Sequence, residues 1–481
     1  MVKFALTALA SAVLSACAVG PDYVRPTIDA PVRFVHAPAT GIESPGATDV
    51  DFWARFDDPV LSRLVDDALV ANHDLRIGLA RWDQARALLR QSRLDQLPTL
   101  TAAGTAASGR SSADQLPGID RDARDADRFD AGIDAFWELD FFGRVRRQVE
   151  AQSAQSAAAG EDLRTMQVAI VSELATSYLR LRGLQERLRV ANGNGDNQLE
   201  SLRVVDARLD AGQGTEFDTS RARAQLASTL ARIPALESAI AIDMHRIAVL
   251  TGRAPAALLD ELGDVRAVPE PADAVDPGTP AELLRRRPDI AAAEHRLAGA
   301  TARIGIATAD LFPRVTIGGA LGSQALDADD LFERDSETRL LSLGIDWSFL
   351  DVGRVRARIA AAQAGADEQL ASYQRTVLRA LEETENALIV HRNRHRETAH
   401  LADAAAAGAR ATELARLQFD GGLVEFLQVL DAERIQLDAE DRLAQSRADT
   451  AIALVALYRA MAGGWPDRVP ARSDALAIAA D

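Results

Sequence analysis

The chain is written twice. Pro98 and Pro313 lie 215 positions apart, while Trp137 and Trp347, Gly143-Arg144-Val145 and Gly353-Arg354-Val355, and Gly212 and Gly422 are each separated by 210. Register held over that distance means one supersecondary unit used twice, and this overrides the three domains that length alone would suggest. Each copy reads as helix, strand, strand, long helix, tight turn, long helix. The first opens at Asp58-Pro59, an N-cap with Pro at the first helical position, and the second at the capping box Thr279-Pro280-Ala281-Glu282. Pro98 and Pro313 end these opening helices, because proline cannot extend the hydrogen-bond ladder and pushes its predecessor into extended backbone.

The strands are the most informative segments. From Phe129 to Trp137 the odd positions are apolar and Asp130, Gly132 and Asp134 stand between them; from Leu341 to Phe349 the odd positions are Leu, Leu, Ile, Trp and Phe. Partners at Thr99 to Ser108 and Val315 to Gly322 alternate more weakly. Strict period two with tryptophan near one end is what a transmembrane barrel strand of about 9 to 11 residues requires, and it is equally what one wet face of a soluble sandwich requires. A barrel closes at about eight strands, so a membrane reading forces subunits to share one. Two chains would supply eight strands and three would supply twelve.

After Gly143 and Gly353 the chain turns helical. Helix from Arg144 to Leu209 would be on the order of 100 Å long, beyond any globular domain. Seams at Ile233, Leu236, Ile240, Met244, Ile247 and Leu250, and at Leu370, Tyr373, Val377, Leu381, Thr384 and Leu388, predict coiled-coil-like pairing. Gly193-Asn194-Gly195 reads as a local break in the first long helix. The reversals carry Gly212 and Gly422, as positive φ demands, and Thr215 with Asp218 reads as a capping box for the returning helix.

The N-terminus sets the compartment. Lys3, the apolar run Phe4 to Val13 and Leu14-Ser15-Ala16-Cys17 form a lipoprotein signal peptide, with Cys17 as the acylated residue after cleavage. A diacylglycerol thioether plus an N-acyl chain, palmitate among the candidates, satisfies the requirement for more than one chain. Cys17 is the only cysteine, which excludes a disulfide framework and a cysteine metal site. A net charge of −17 speaks against nucleic acid as a partner. His391 and His395, at i, i+4 and with His400 nearby, could hold a metal, but Arg392, Arg394 and Arg396 crowd them, so a solvated helix face and no metal is the reading. No nucleophile elbow or phosphate loop is present, and no enzymatic activity or cofactor is expected.

Four stretches then carry a resemblance: Cys17 to Pro26, Trp137-Glu138-Leu139-Asp140-Phe141-Phe142-Gly143-Arg144, Arg286-Arg287-Pro288-Asp289-Ile290, and Leu457-Tyr458-Arg459-Ala460. In order and spacing they resemble the outer-membrane efflux protein family of the TolC and OprM type, in its lipoprotein branch that serves resistance-nodulation-division (RND) pumps. The resemblance implies a mainly α fold with a transmembrane β-barrel portion, in which a homotrimer shares a 12-stranded barrel and a 12-helix periplasmic tunnel. It implies a periplasmic adaptor (membrane-fusion protein) and an inner-membrane RND-type transporter as partners, and outer-membrane lipid around the barrel. It places the adaptor at two tips, Arg208, Leu209, Gly212, Gln213, Gly214 and Thr215, and Gln418, Phe419, Gly421, Gly422 and Leu423. Leu427 and Asp431 would form the pore aperture, and Trp137 and Trp347 would mark the membrane interface. The expected segments are a signal peptide (1–16), an N-terminal anchored segment (17–57), the first repeat (58–265), a linker (266–279), the second repeat (280–465) and a tail (466–481). A duct for one-step (type I) protein secretion and a non-transporting coiled-coil spacer are the alternatives.

Overall fold

A computed structural model describes residues 18–27, 31–37, 52–269, 278–462 and 470. The signal segment, Cys17, most of the linker and the tail apart from Pro470 lie outside the described residues. The first half runs α1 (Pro59–Ala71), α2 (His73–Leu94), β1 (Thr99–Arg110), β2 (Asp125–Leu139), α3 (Arg144–Asp210), α4 (Glu216–Leu230) and α5 (Ile233–Leu250). The second runs α6 (Pro280–Arg286), α7 (Pro288–Ala309), β3 (Arg314–Ala325), β4 (Glu337–Asp346), α8 (Val352–Asp420) and α9 (Phe426–Ala460). No described helix is long and apolar enough to cross a membrane.

The opening helices begin where the caps lie. Asp58 accepts from the N–H groups of Val60 and Leu61, and Thr279 and Glu282 close a full capping box. Each opening helix is nevertheless two helices. At Asn72 the side-chain oxygen caps the N–H groups of Asp74 and Leu75 at 2.9 and 3.1 Å, which starts α2 afresh. Arg287, held extended by Pro288 after it, makes the corresponding break between α6 and α7.

Three further expectations are corrected. The returning helix of the first half breaks at Ala231-Arg232, because Pro234 enters the first turn of α5 and has no N–H to continue the ladder. Gly193-Asn194-Gly195 does not interrupt α3, which runs unbroken for 67 residues. Asn194 braces that stretch by donating to the Val190 carbonyl at 2.9 Å and to Glu440 at 3.0 Å, against a glycine cost of about 1 kcal/mol per residue. Trp347 and Phe349 lie beyond β4, which ends at Asp346. The reason is register: Arg314, the residue after Pro313, already pairs with Asp346, so nothing remains for Trp347 to pair with.

The chain divides into two compact units. One comprises Met1–Thr27, Arg81–Ala159 and Ala292–Gln374 and contains the sheet, which has the order β1-β2-β3-β4 with every pairing antiparallel. The other comprises Ile28–Ala80, Gly160–Ala291 and Arg375–Asp481. Its core is built from the apolar stripe of α1 (Leu61, Leu64, Val65, Ala68, Leu69), from Tyr178 and Leu181 of α3, and from Phe52 stacked on Tyr458 at 4.6 Å. Both seams face inward: Leu236, Ile240, Met244, Ile247 and Leu250 are buried, as are Tyr373, Val377, Thr384 and Leu388.

Candidate functional site

The sheet sorts its residues onto two unlike faces. Register places Leu100, Ala135, Gly319 and Leu341 in one row across the four strands, with Ile133 and Leu321 beside them and Trp137, Ile317 and Leu343 in the next row. The opposite face is mainly polar, with Thr101 against Asp134, Thr105 against Asp130 and Gln324, and Glu138 against Thr316 and Gly344, although Phe136 and Leu340 also stand on it. On the apolar face Leu341 is 82 % exposed, Leu321 70 % and Leu343 69 %. Each such side chain forgoes roughly 1.5–3 kcal/mol of burial. β1 and β4 are edges with unpaired backbone groups. An apolar face and two open edges are together the signature of a surface completed by something else.

The foot of the sheet is fixed by matching bonds in the two halves. The Trp137 indole N–H donates to the Gln96 carbonyl at 3.0 Å and that of Trp347 to the Leu311 carbonyl at 2.9 Å, two residues before Pro98 and Pro313 respectively. Both indoles therefore pair with the chain entering a strand; Trp347 remains exposed and Trp137 is half-buried. The stretch Glu138 to Arg144 builds the turn into α3. Glu138 accepts from Arg144 at 2.8 Å, Asp140 caps the N–H groups of Val145 and Arg146 at 3.0 and 2.8 Å, Phe142 stacks on Phe312 at 4.7 Å, and Gly143 takes φ +81.

Onto this turn the N-terminal segment is strapped. Val19 N–H donates to the Phe142 carbonyl at 3.1 Å, and the buried Arg147 guanidinium donates to the carbonyls of Val19 and Gly20 and to Asp22. A Cβ on Gly143 would fall 2.5 Å from that of Ala18, and one on Gly20 would fall 2.5 Å from the Gly305 backbone. Further along, Tyr23 donates to Glu294, which also pairs with Arg25 at 2.8 Å. The strap therefore delivers Ala18 to the end of β2.

The two tips are built alike. Gly212 (φ +72) donates to Leu209 O and Gln213 N–H to Arg208 O; Gly422 (φ +71) donates to Phe419 O and Leu423 N–H to Gln418 O. These are Schellman closures, with glycine in the left-handed position. The Thr215 hydroxyl accepts from Asp218 N–H and donates to the Asp218 carboxylate, a cap without the reciprocal backbone bond of a capping box. Gly212, Gln213, Thr215, Gln418, Gly421, Gly422 and Leu423 are exposed, and Arg208, Leu209 and Gly214 are half-buried. Phe419 departs from the expected partner-facing role. It is buried in a cluster with Val205, Phe426, Val429 and Leu430, and the Arg208 guanidinium sits 3.9 Å over its ring. Arg208 also donates to the Phe419 carbonyl at 3.3 Å, so one tip clasps the other.

Leu427 and Asp431 lie one turn apart on α9 and both are exposed, with Asp431 accepting from Arg434 at 2.8 Å. Two turns into the same helix is a group that the sequence reading missed. Glu433 is 3 % exposed; its Oε1 accepts from Ser201 at 2.7 Å and from Arg416 at 2.8 Å, joining α3, α8 and α9. The signal was available: Phe426, Leu430, Glu433 and Leu437 follow 4, 3, 4 spacing, which puts an acid on an apolar seam and obliges it to have partners. Of the histidines, His391 is not on a solvated face. Burial, and after it the neighbouring His395, push its pKa below the ordinary histidine value. Among the described residues no cluster of three or more His, Cys, Asp or Glu is arranged to hold a metal.

The model of the outer membrane efflux protein family matches this chain twice, over residues 64–253 and 279–463. The chain belongs to that family. The solved structure of the outer-membrane channel OprN is 41 % identical, covers 93 % of this chain and 100 % of that one, and superposes with a TM-score of 0.87. Outer membrane protein OprJ of Pseudomonas aeruginosa is 32 % identical over 96 % of both chains. The pyoverdine export outer membrane protein OpmQ of the same organism is also 32 % identical, over 94 % of this chain and 95 % of its own. The chain is thus an outer-membrane protein of the efflux type, and the double match coincides with the two halves that the recurrent landmarks mark out.

Proposed function

We propose that this chain is the exit duct of a tripartite efflux system, a homotrimer whose three four-stranded sheets close one 12-stranded barrel through the outer membrane. The observation that carries the reading is the sheet: its apolar face fits lipid, its polar face with Asp130, Asp134 and Glu138 fits a wet lumen, and its open edges fit a neighbour's edges. Closure removes every unpaired strand group at once. The long helices α3, α8 and α9 then continue the duct as a periplasmic tunnel. A spacer that transports nothing would have no use for a lipid-facing sheet.

The anchor follows the same logic. With Ala18 seated against Gly143 at the end of β2, acyl chains on Cys17 would enter the bilayer beside the barrel. The exposed tip residues Gln213, Gln418 and Leu423 offer the adaptor its contact, the inner-membrane RND-type transporter supplies the energy, and Leu427 and Asp431 form an apolar and an acidic ring at the tunnel mouth. Cargo follows from the pump. The relative named for pyoverdine and the one named only as an outer membrane protein stand at the same identity to this chain. Type I secretion differs in its transporter, so capture of an RND-type pump rather than an ABC-type exporter separates the two.

Native mass determination of detergent-extracted protein, paired with planar-bilayer conductance, tests the reading. A conducting trimer is expected, and Leu427→Ala with Asp431→Ala should raise its conductance. A water-soluble monomer without conductance would overturn the duct.

A further inference from the structure

The apolar face of the sheet is not flat. Ala135 and Gly319 stand side by side in the middle of their row and floor a groove of about 610 Å³, walled by Leu100, Leu341, Ile133 and Leu321. The sheet itself does not require a glycine there. A Cβ on Gly319 would meet nothing closer than the Leu340 carbonyl at 3.8 Å, an ordinary contact, whereas one on Gly322 would fall 2.6 Å from the Ala131 carbonyl. Nor is Gly319 among the glycines with positive φ. A strand glycine that neither packing nor backbone demands marks a place where something else approaches closely.

The groove leads to a charge. Arg339 lies on its rim, exposed, and register sets it on this same face in a row with Leu321, Ile133 and Ala102. Arg110, farther up the face, forks onto Asp125, but Arg339 makes no ion pair among the described residues. Closing the barrel brings it none, because β1, the edge that β4 would meet, contains no acidic residue from Thr99 to Arg110. The nearest acid along the strand on this face is Glu337, one row closer to the β3–β4 connection. Arg339 is the third residue of β4, so it lies at the end of the sheet away from the long helices. On the duct reading that end is the outer leaflet. Arginine on a lipid face is costly at mid-membrane and tolerated near the interface, where its stem stays apolar and its head reaches a headgroup.

We propose that this corner of the sheet binds one phosphorylated glycolipid of the outer leaflet, with an acyl chain in the Ala135–Gly319 groove and a phosphate on Arg339. The proposal rests on the duct reading. A guanidinium without a protein counter-ion is a planar fork that matches phosphate oxygens. Glu337 beside it accepts from hydroxyls, which a sugar headgroup carries. The groove is floored by hydrogen-bonded strands and is formed before the lipid arrives, so little order has to be created on binding.

The test titrates the detergent-extracted full-length protein with lipid A and reads binding by native mass, with planar-bilayer conductance on the same sample. One lipid A per chain is expected. Arg339→Gln should weaken binding on the order of tenfold, as should lipid A stripped of its phosphates on the parent. Gly319→Leu, which fills the floor without a clash, should weaken it independently of charge, and Arg339→Lys should recover part of the loss. Arg128→Gln removes an arginine from the opposite face, where it pairs with Ala107, and should leave binding unchanged. Equal binding by the parent, Arg339→Gln and Gly319→Leu would overturn the proposal, and so would a preference of the parent for phosphatidylethanolamine or phosphatidylglycerol over lipid A. A conducting trimer whose lipid A binding ignores Arg339 removes this site and leaves the duct standing. A monomer without conductance removes the duct, and the site with it.

Discussion

Replacing Arg287 with methionine should destabilise the helical unit by about 3 kcal/mol, and the figure can be built from its bonds. The guanidinium, with its side chain 8 % exposed, donates to the Ala460 carbonyl at 2.8 Å, forks onto both oxygens of Asp289 at 3.0 and 2.7 Å, and reaches Glu383 at 2.8 Å. Burial opposes the charge, but the bonds to Asp289 and Glu383 outweigh it and hold the pKa above the ordinary arginine value. Removing a buried charge from its partners costs roughly 3–5 kcal/mol when the partners are left dry. Here Asp289 and Glu383 are 30 % and 55 % exposed and can rehydrate, so their share is small. The Ala460 carbonyl cannot, since it keeps only the long 3.5 Å bond from the Thr384 hydroxyl, and an under-satisfied buried acceptor costs about 1–3 kcal/mol. Methionine keeps most of the packing volume, which confines the loss to the polar terms. Denaturant or thermal unfolding of the detergent-solubilised protein reads the difference, with the exposed Arg285→Met as control, expected within about 0.5 kcal/mol of the parent. Arg287→Lys should recover only part of the loss, because an ammonium cannot fork and reach a third acceptor together. If Arg287→Met behaves like Arg285→Met, or Lys restores everything, this network does not hold the helix ends together.

Two further substitutions probe other links. Gly143→Ala places a side chain at φ +81 and against Ala18, a strain of about 1–2 kcal/mol before the overlap is counted. It should free the N-terminal strap and speed chymotryptic cleavage after Tyr23, whereas Gly353→Ala, where a Cβ meets nothing within 4 Å, should leave cleavage unchanged; equal effects would disprove the seat. His391 gives a pH dependence of known sign. Its folded pKa lies below the ordinary 6.5, so as pH falls past that value the unfolded chain takes up a proton that the folded one resists, and stability declines. His391→Gln should flatten that slope between pH 7 and pH 5, taken as roughly the histidine titration range, and an unchanged slope would place the proton uptake elsewhere.

What the sequence disclosed and what it withheld divide along one physical line. Period-two alternation, glycine reversals and proline stops are local rules, and they located all four strands, both tips and the two long helices. Even the error at Trp347 was local reasoning carried too far: alternation continues through Phe349, but a strand lasts only as long as its partner, and β3 begins at Arg314. The features that were missed depend on what lies far along the chain. Arg287 is a pre-proline residue in sequence and a staple onto Ala460 in space, 173 residues away. Glu433 finds Ser201 across 232 positions, and Arg147 reaches Asp22 across 125. Such pairs have no period to betray them, yet each leaves a trace of the same kind, a charge or amide standing where the helical pattern calls for an apolar residue. Glu433 on the α9 seam and Gln198 on the facing side of α3 are two such traces. Glu433 meets Ser201 and Arg416 through one of its oxygens, whereas neither polar atom of the Gln198 amide has a partner within the protein, so one seam is held by polar bonds at some positions and by packing alone at others.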